Sequence, residues 1–209
     1  MVVIESSYEI VDEIGDVLGK LERIGRTCYH SEDKIKADGE SAKRFIHNII
    51  ERGHESVIEH VSITVKFVCN RETSHQLVRH RLASYTQESQ RYCNYADSEK
   101  YPEGIIFIKP CDMEYKTNDY RNWVDTCMDS EFGYFQAIKC GLKPEQARLA
   151  LNNSVATCIY MTTNLREWRH VLKLRCSKEA DPQIRALMIP LAKELKERIP
   201  IIFDDIEVD

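Results

Sequence analysis

The stretch SITVKFVCNRETSHQLVRHRLASYTQESQRY, residues 62–92, decides how this chain is read. Its opening alternates: Ile63, Val65, Phe67 and Cys69 fall on one side, Thr64, Lys66 and Val68 on the other. Successive side chains of a strand point to opposite faces, so residues 62–70 form a strand with one face better buried. A short helix over residues 72–81 is expected to follow and to carry the first arginines. Arg79, His80, Arg81 and Arg91 then crowd together, threaded with Ser84, Tyr85, Gln87, Ser89 and Tyr92. Cations at this density repel one another. Something anionic must compensate, either another segment or a ligand.

Outward from this stretch, the remaining elements are legible by period. Val2–Ile4 is a short strand, and residues 10–28 have helical character interrupted by Gly15, Gly19 and Gly25. Residues 40–52 form a helix with Phe45, Ile46, Ile49 and Ile50 on one face, stopped by Gly53. GIIFI, residues 104–108, is a second β-rich run, ended by Pro110. Tyr120, Trp123, Val124, Cys127, Phe132, Phe135 and Ile138 recur near a 3.6-residue period, predicting a long helix over 117–140 that ends at Gly141. Pro144 opens another helix through Ala150, and the β-branched run 154–164 is a strand. Asn164 with Glu167 predicts a capping box for a helix to about Arg175, and Ile184, Leu187, Met188, Leu191 and Leu195 mark a last helix before Pro200. Strands and helices do not alternate regularly. The expected class is α+β, a central, mostly antiparallel sheet flanked by helices, in a single domain over residues 1–209.

Composition narrows the function. A net charge of -5 counts against a dedicated nucleic-acid binder, though a local basic patch can still hold phosphate. No apolar run is long enough to span a membrane. The eight cysteines contain no CxxC, which fits neither a zinc knuckle nor a disulfide framework. With no secretory signal in evidence, a cytoplasmic protein with reduced thiols is expected.

Arginine is too basic for ordinary proton transfer, but its planar fork of donors grips phosphates and carboxylates. Three segments supply such groups: Arg79 to Arg91, then Glu145 with Arg148, then Asn164, Arg166, Arg169, His170 and Arg175. Arg166 and His170 are four apart and share a helical face. Any one of these arginines alone reads most simply as solvated surface. The set, following a buried strand and interleaved with neutral hydrogen-bonding groups, points to anion binding. GHESVIEH, residues 53–60, resembles a zinc-protease helix only in letters, because His54 and His60 lie six apart, about 240° around a helix. No metal is expected. Ser84 and Ser89 lack a GxSxG elbow, and no cysteine, Cys93 included, has a nucleophile signature. GxGxxG and GxxxxGK[ST] are both absent, so any dinucleotide is held by other means.

RHR followed after seven residues by Ser89 resembles the signature of the flavin-dependent thymidylate synthases. GHESVIEH resembles that family's GHxSxxEH element, EQARLAL its ExAR segment, and NLREWRHVLKLR its NxRxxxxxxxxLR helix. The four matches occur in the family's order between about residues 40 and 190.

The resemblance implies methylation of dUMP to dTMP, with methylenetetrahydrofolate giving the carbon and FAD, reduced by NADPH, the hydride. It implies a homotetramer with shared active sites. It places the nucleotide against Gln76, Arg79, Gln87, Glu88, Ser89, Gln90, Arg91 and Arg148. Arg175 would meet the uracil ring and stabilise charge developing there. The FAD would lie against Ser56, Glu59, Arg79, His80, Arg81, Gln87, Asn164, Arg166 and His170, with His54 near the flavin or folate. Both Arg175 and His54 are expected to be catalytic. Some positions depart from the pattern: Gln87 stands where many members have Glu, His170 where Asn is common, LALNN lacks a usual proline, and SKEADPQIR matches AQxEIR only loosely. These bear on substrate choice. The alternatives are a related flavin-dependent methyltransferase or hydroxymethylase acting on another pyrimidine nucleotide, and a phosphate- or nucleic-acid-binding module.

Overall fold

In the computed structural model, which describes residues 1–208, the alternation at 62–70 and the helical periods around it resolve into six strands and seven α-helices. In chain order they are β1 (Val2–Ile4), β2 (Ser7–Ile10), α1 (Val17–Arg26), α2 (Glu40–Glu51), β3 (Ser62–Asn70), α3 (Arg71–Leu77), β4 (Ala83–Gln87), β5 (Ile106–Ile108), α4 (Asn118–Lys139), α5 (Pro144–Ala147), β6 (Ala156–Asn164), α6 (Leu165–Arg175) and α7 (Pro182–Arg198). A 3-10 segment spans Glu55–His60. Among the described residues, no helix is long and apolar enough to cross a membrane.

The expected α+β class holds. One sheet has the strand order β2-β3-β6-β4. Its pairings run antiparallel, because one index falls as the other rises. Val11 N–H donates to Thr64 O, while Lys66 reaches back to Glu9. Leu165 N–H donates to Val61 O, while the Thr64 and Thr162 hydroxyls meet at 3.0 Å. Glu88 N–H donates to Cys158 O, and the Thr163 hydroxyl donates to Leu82 O. The exception is a separate two-stranded sheet in which β1 and β5 run parallel, Val2 opposite Ile106 and Ile4 opposite Ile108.

Two compact units divide the chain. The first takes residues 1–9, 66–79 and 85–160; the second takes 10–65, 80–84 and 161 onward. In the first, Tyr95, Ile105, Phe107, Cys127, Tyr134 and Val155 form a buried cluster. Cys127 lies on the inner face of α4, as the period predicts, together with Tyr134, which the period reading did not name, but Phe132 is 63% exposed. It lies five residues past Cys127, about 140° around the helix, and so points away.

In the second unit α1 packs on α2, and α6 packs on α7 and on the 3-10 segment. Gly19 and Gly25 do not interrupt α1, but residues 11–16, including Gly15, lie outside it and are not helical. Asp16 caps it by accepting from Gly19 N–H at 2.9 Å. Gly25 lets α2 come close, since a Cβ there would meet the Phe45 ring at 2.5 Å. Ile10, read as helical, belongs to β2 instead.

The helix expected over 72–81 ends at Leu77, so Arg79, His80 and Arg81 lie beyond it. The Tyr85 hydroxyl donates to Leu77 O at 2.7 Å and satisfies a carbonyl at the helix end. The strand β4 that follows was not anticipated, although Ala83, Tyr85 and Gln87 are more buried than Ser84 and Thr86, the alternation of a strand. The predicted 144–150 helix is α5 followed by a 3-10 turn, Arg148–Ala150.

Asn70, 7% exposed, ends β3 and caps α3 by accepting from Thr73 N–H at 2.8 Å. Asn70→Ala removes that acceptor and is expected to cost about 1–2 kcal/mol. A lowered urea midpoint at unchanged slope is the measurement that checks it.

Candidate functional site

The last strand of the sheet hands the chain directly to a functional helix. Asn164 ends β6, and its side chain accepts from Glu167 N–H at 2.9 Å, starting α6 in a fixed orientation. From that start, Arg166 and His170 are exposed while Glu167, Trp168 and Arg169 are buried. The Trp168 indole N–H donates to Ile63 O at 3.0 Å and pins the helix from within.

Asn164, Arg166, His170 and Glu59 line one open cavity of about 890 Å³ in the second unit. Four residues assigned to flavin binding are therefore brought together. Glu55, Glu167, Arg169 and Lys173 share the cavity and were not singled out for it. Arg166 pairs with Glu59 at 2.5 Å and approaches Glu55 at 3.7 Å. Arg169 is 3% exposed and makes four hydrogen bonds: Nε donates to Glu55 at 3.0 Å, Nη1 to the Ile202 carbonyl and to Asp205, Nη2 to Asp205 at 2.9 Å. Lys173 meets the same Asp205 at 2.8 Å. Burial alone would raise the Asp205 pKa, but the Arg169 and Lys173 hydrogen bonds and charges hold it at about 2. No sequence pattern signals this clamp, since Asp205 lies 36 residues from Arg169.

His80 sits beneath these groups, 4% exposed. Arg175 Nε–H donates to His80 Nε2 at 3.0 Å, which leaves the ring proton on Nδ1, 3.8 Å from Glu167. His170 lies edge-on to His80, with ring centroids 6.0 Å apart. Burial first, then the Arg175 and His170 charges, push the His80 imidazole down to about 4. Donor atoms of His80, Glu167 and His170 lie within 4.8 Å of one another. His80 holds Arg175 through Nε2, with its ring kept neutral by burial.

His54 and Ser56 do not line the large cavity. With Tyr29, Phe45, Arg52 and others they line a smaller one of about 260 Å³ in the same unit. The expected flavin set is thus divided, and its Arg79, His80, Arg81 and Gln87 line neither of these two cavities.

The nucleotide set falls largely in the first unit. Arg91 Nε donates to Glu145 Oε2 at 3.0 Å and Arg148 Nε donates to the Glu145 carbonyl at 3.2 Å, so the two arginines converge on one residue. Gln87 Nε2 donates to the Ser74 and Thr157 hydroxyls at 2.9 and 3.2 Å. Gln76 Nε2 donates to Glu72 at 2.5 Å. Gln90 Nε2 is buried without a hydrogen-bond partner. Arg79 in the first unit and Arg81 in the second are both exposed, and among the described residues neither has a carboxylate partner.

Residues 9–201 match the profile of the family described as thymidylate synthase complementing protein. A flavin-dependent thymidylate synthase of Geobacter sulfurreducens is 35% identical over 185 residues, 86% of this chain and 78% of the relative. The chain belongs to the flavin-dependent thymidylate synthase family. Another member, from Pyrococcus furiosus, is 36% identical over 168 residues, 76% of this chain and 68% of its own. Among solved structures, a UMP/dUMP methylase from Streptomyces cacaoi bound with 5-Br dUMP superposes with a TM-score of 0.79. It is 22% identical and covers 98% of this chain and 96% of that one, which bears on the fold. The curated members are named flavin-dependent thymidylate synthases, and this chain is an enzyme of that family.

The depressed His80 pKa gives this family member a testable acid sensitivity. Its folded value of about 4 lies below the ordinary 6.5, so the unfolded chain takes up the proton more readily. The contribution is complete above pH 6.5 and is lost as pH falls toward 4, amounting to up to about 3 kcal/mol. His80→Gln should flatten the dependence of urea midpoint on pH across that window. An acid slope identical to wild type would count against a buried neutral imidazole.

Proposed function

We propose that this chain methylates dUMP to dTMP, with methylenetetrahydrofolate as carbon donor, FAD as redox cofactor and NADPH as reductant. The observation that carries the reading is the family match over residues 9–201, which contains the cations the fold leaves uncompensated. Exposed Arg79 and Arg81 call for an anionic ligand, and a phosphate could take the place of the Glu145 carboxylate on Arg91, near Arg148, whose Nε is held by the Glu145 carbonyl. Gln76, Gln87 and Ser89 supply neutral donors and acceptors beside them, and a bound acceptor would lift the cost of the unpaired Gln90 nitrogen.

The large cavity fits a flavin nucleotide by size and chemistry. At about 890 Å³ it lies within the range of ligand pockets, and Asn164, Arg166 and His170 present donors at its wall. When bound, the flavin supplies the hydride. Arg166 would leave Glu59 for the cofactor's phosphates, and His80 and Arg81 flank the same region of the sequence signature. Arg175, hydrogen-bonded to His80, would stabilise negative charge on a bound ring by electrostatics alone, without proton abstraction. His54 and Ser56, in the smaller cavity, are assigned to the flavin or folate. The chain works as one functional domain, as a cytoplasmic homotetramer with shared sites, and takes no nucleic acid or membrane partner.

The deciding experiment mixes the protein with FAD, NADPH, methylenetetrahydrofolate and dUMP, or UMP in its place, and identifies the nucleotide product by mass spectrometry. Flavin- and folate-dependent dTMP supports the reading. A methylated product from UMP alone would replace dUMP with another pyrimidine nucleotide, and no product from flavin-loaded protein would overturn it. Arg148→Ala should raise KM for dUMP about 10-fold or more, the loss of one charge-assisted contact.

A further inference from the structure

We infer that Glu88 is a positioning residue: its carboxylate, held by the Tyr95 hydroxyl, latches the 87–91 turn from beneath and does not meet the nucleotide. The inference rests on the nucleotide site proposed above, where the family resemblance would make Glu88 a direct contact.

Three of the four polar groups of Glu88, all but Oε2, are tied to the protein. Its N–H donates to Cys158 O at 2.9 Å. Its carbonyl accepts from Arg71 Nη2 at 3.1 Å. Its Oε1 accepts from the Tyr95 hydroxyl at 2.6 Å. Tyr95 is itself well anchored: it is 4% exposed, its N–H donates to the Tyr134 hydroxyl, and its ring packs against Tyr101 and Tyr134 with centroids 5.1 and 5.6 Å apart. The latch therefore ties the turn to the hydrophobic core of the first unit.

Charge explains the direction. A phosphate held by Arg91 and Arg148 repels a second carboxylate aimed at it, and Glu145 already lies between those arginines. Turning Glu88 inward removes that repulsion. It also fixes the backbone from which Ser89 and Arg91 project. Ser89 O accepts from the N–H groups of Tyr92 and Cys93, and Ser89 Oγ accepts from Arg91 N–H at 3.3 Å, so the turn is rigid on both sides of the latch.

Tyr95→Phe removes only the hydroxyl and leaves the ring in the core. Glu88→Gln keeps an acceptor for that hydroxyl, and Glu88→Ala removes it. In steady-state assays, Tyr95→Phe should raise KM for dUMP about 5- to 10-fold while kcat stays within about twofold. Glu88→Ala should raise KM by a similar factor and Glu88→Gln should recover most of it. The double variant should be no worse than Glu88→Ala, the mark of one shared interaction. A wild-type KM in Tyr95→Phe beside a raised KM in Glu88→Ala would overturn the inference, because the carboxylate would then be acting on the nucleotide itself. Amide hydrogen exchange without nucleotide supplies a second readout: residues 88–93 should exchange faster in both Tyr95→Phe and Glu88→Ala. Unchanged exchange in both would also overturn the latch. Failure of the wild-type protein to turn over dUMP would instead sink the functional reading, and exchange would still decide the latch.

Discussion

Two asparagine side chains set where the functional groups go. Asn70 and Asn164 each end a nine-residue strand, and each accepts a hydrogen bond from the backbone three residues on. Both have nearly the same backbone conformation, with ψ of 165° and 166°. An amide at this position satisfies an otherwise orphaned helical N–H and fixes the angle at which chain leaves strand for helix. One helix delivers Arg79 just past its end. The other carries Arg166, His170 and Arg175 along its length. Strand register and cap together place these groups, so a slip of one residue would turn them to the opposite face.

The fold sorts its charges by burial. Buried Arg169 is matched by Glu55 and Asp205 from segments distant in sequence, as desolvation demands. Buried His80 gives up its charge instead and accepts a hydrogen bond from Arg175. Arg91 and Arg148 remain solvated beside Glu145. Arg79 and Arg81 stay exposed, with no carboxylate partner among the described residues. Cations whose partners are built into the fold serve as structure, and those without built-in partners are available to a ligand.

Departures from the family pattern take on structural meaning here. Gln87 donates to two hydroxyls, those of Ser74 and Thr157, a donor role that an ionised glutamate cannot fill. His170 packs edge-on to His80 and contributes to keeping that ring neutral, an electrostatic effect that asparagine would not supply.

Periodicity in the sequence was enough to determine the strands at 62–70 and within 154–164, the helices around 40–52, 117–140 and after Asn164, and hence the α+β class. Motif spacing was enough to place the chain in its family. These signals are local: a pleat alternates every two residues, a helix repeats every 3.6, and a signature is contiguous. What escaped was non-local. Strand β4 depends on its partner β6, and α3 stops at Leu77 where Tyr85 meets its last carbonyl. The Arg169–Asp205 clamp, the tautomer of His80 and the inward turn of Glu88 each require a neighbour that only folding brings within hydrogen-bonding distance. The identity of a side chain is written in the chain, but its partner, its burial and therefore its charge state were decided by tertiary structure, because desolvation and Coulomb energy depend on distances that sequence separation does not encode.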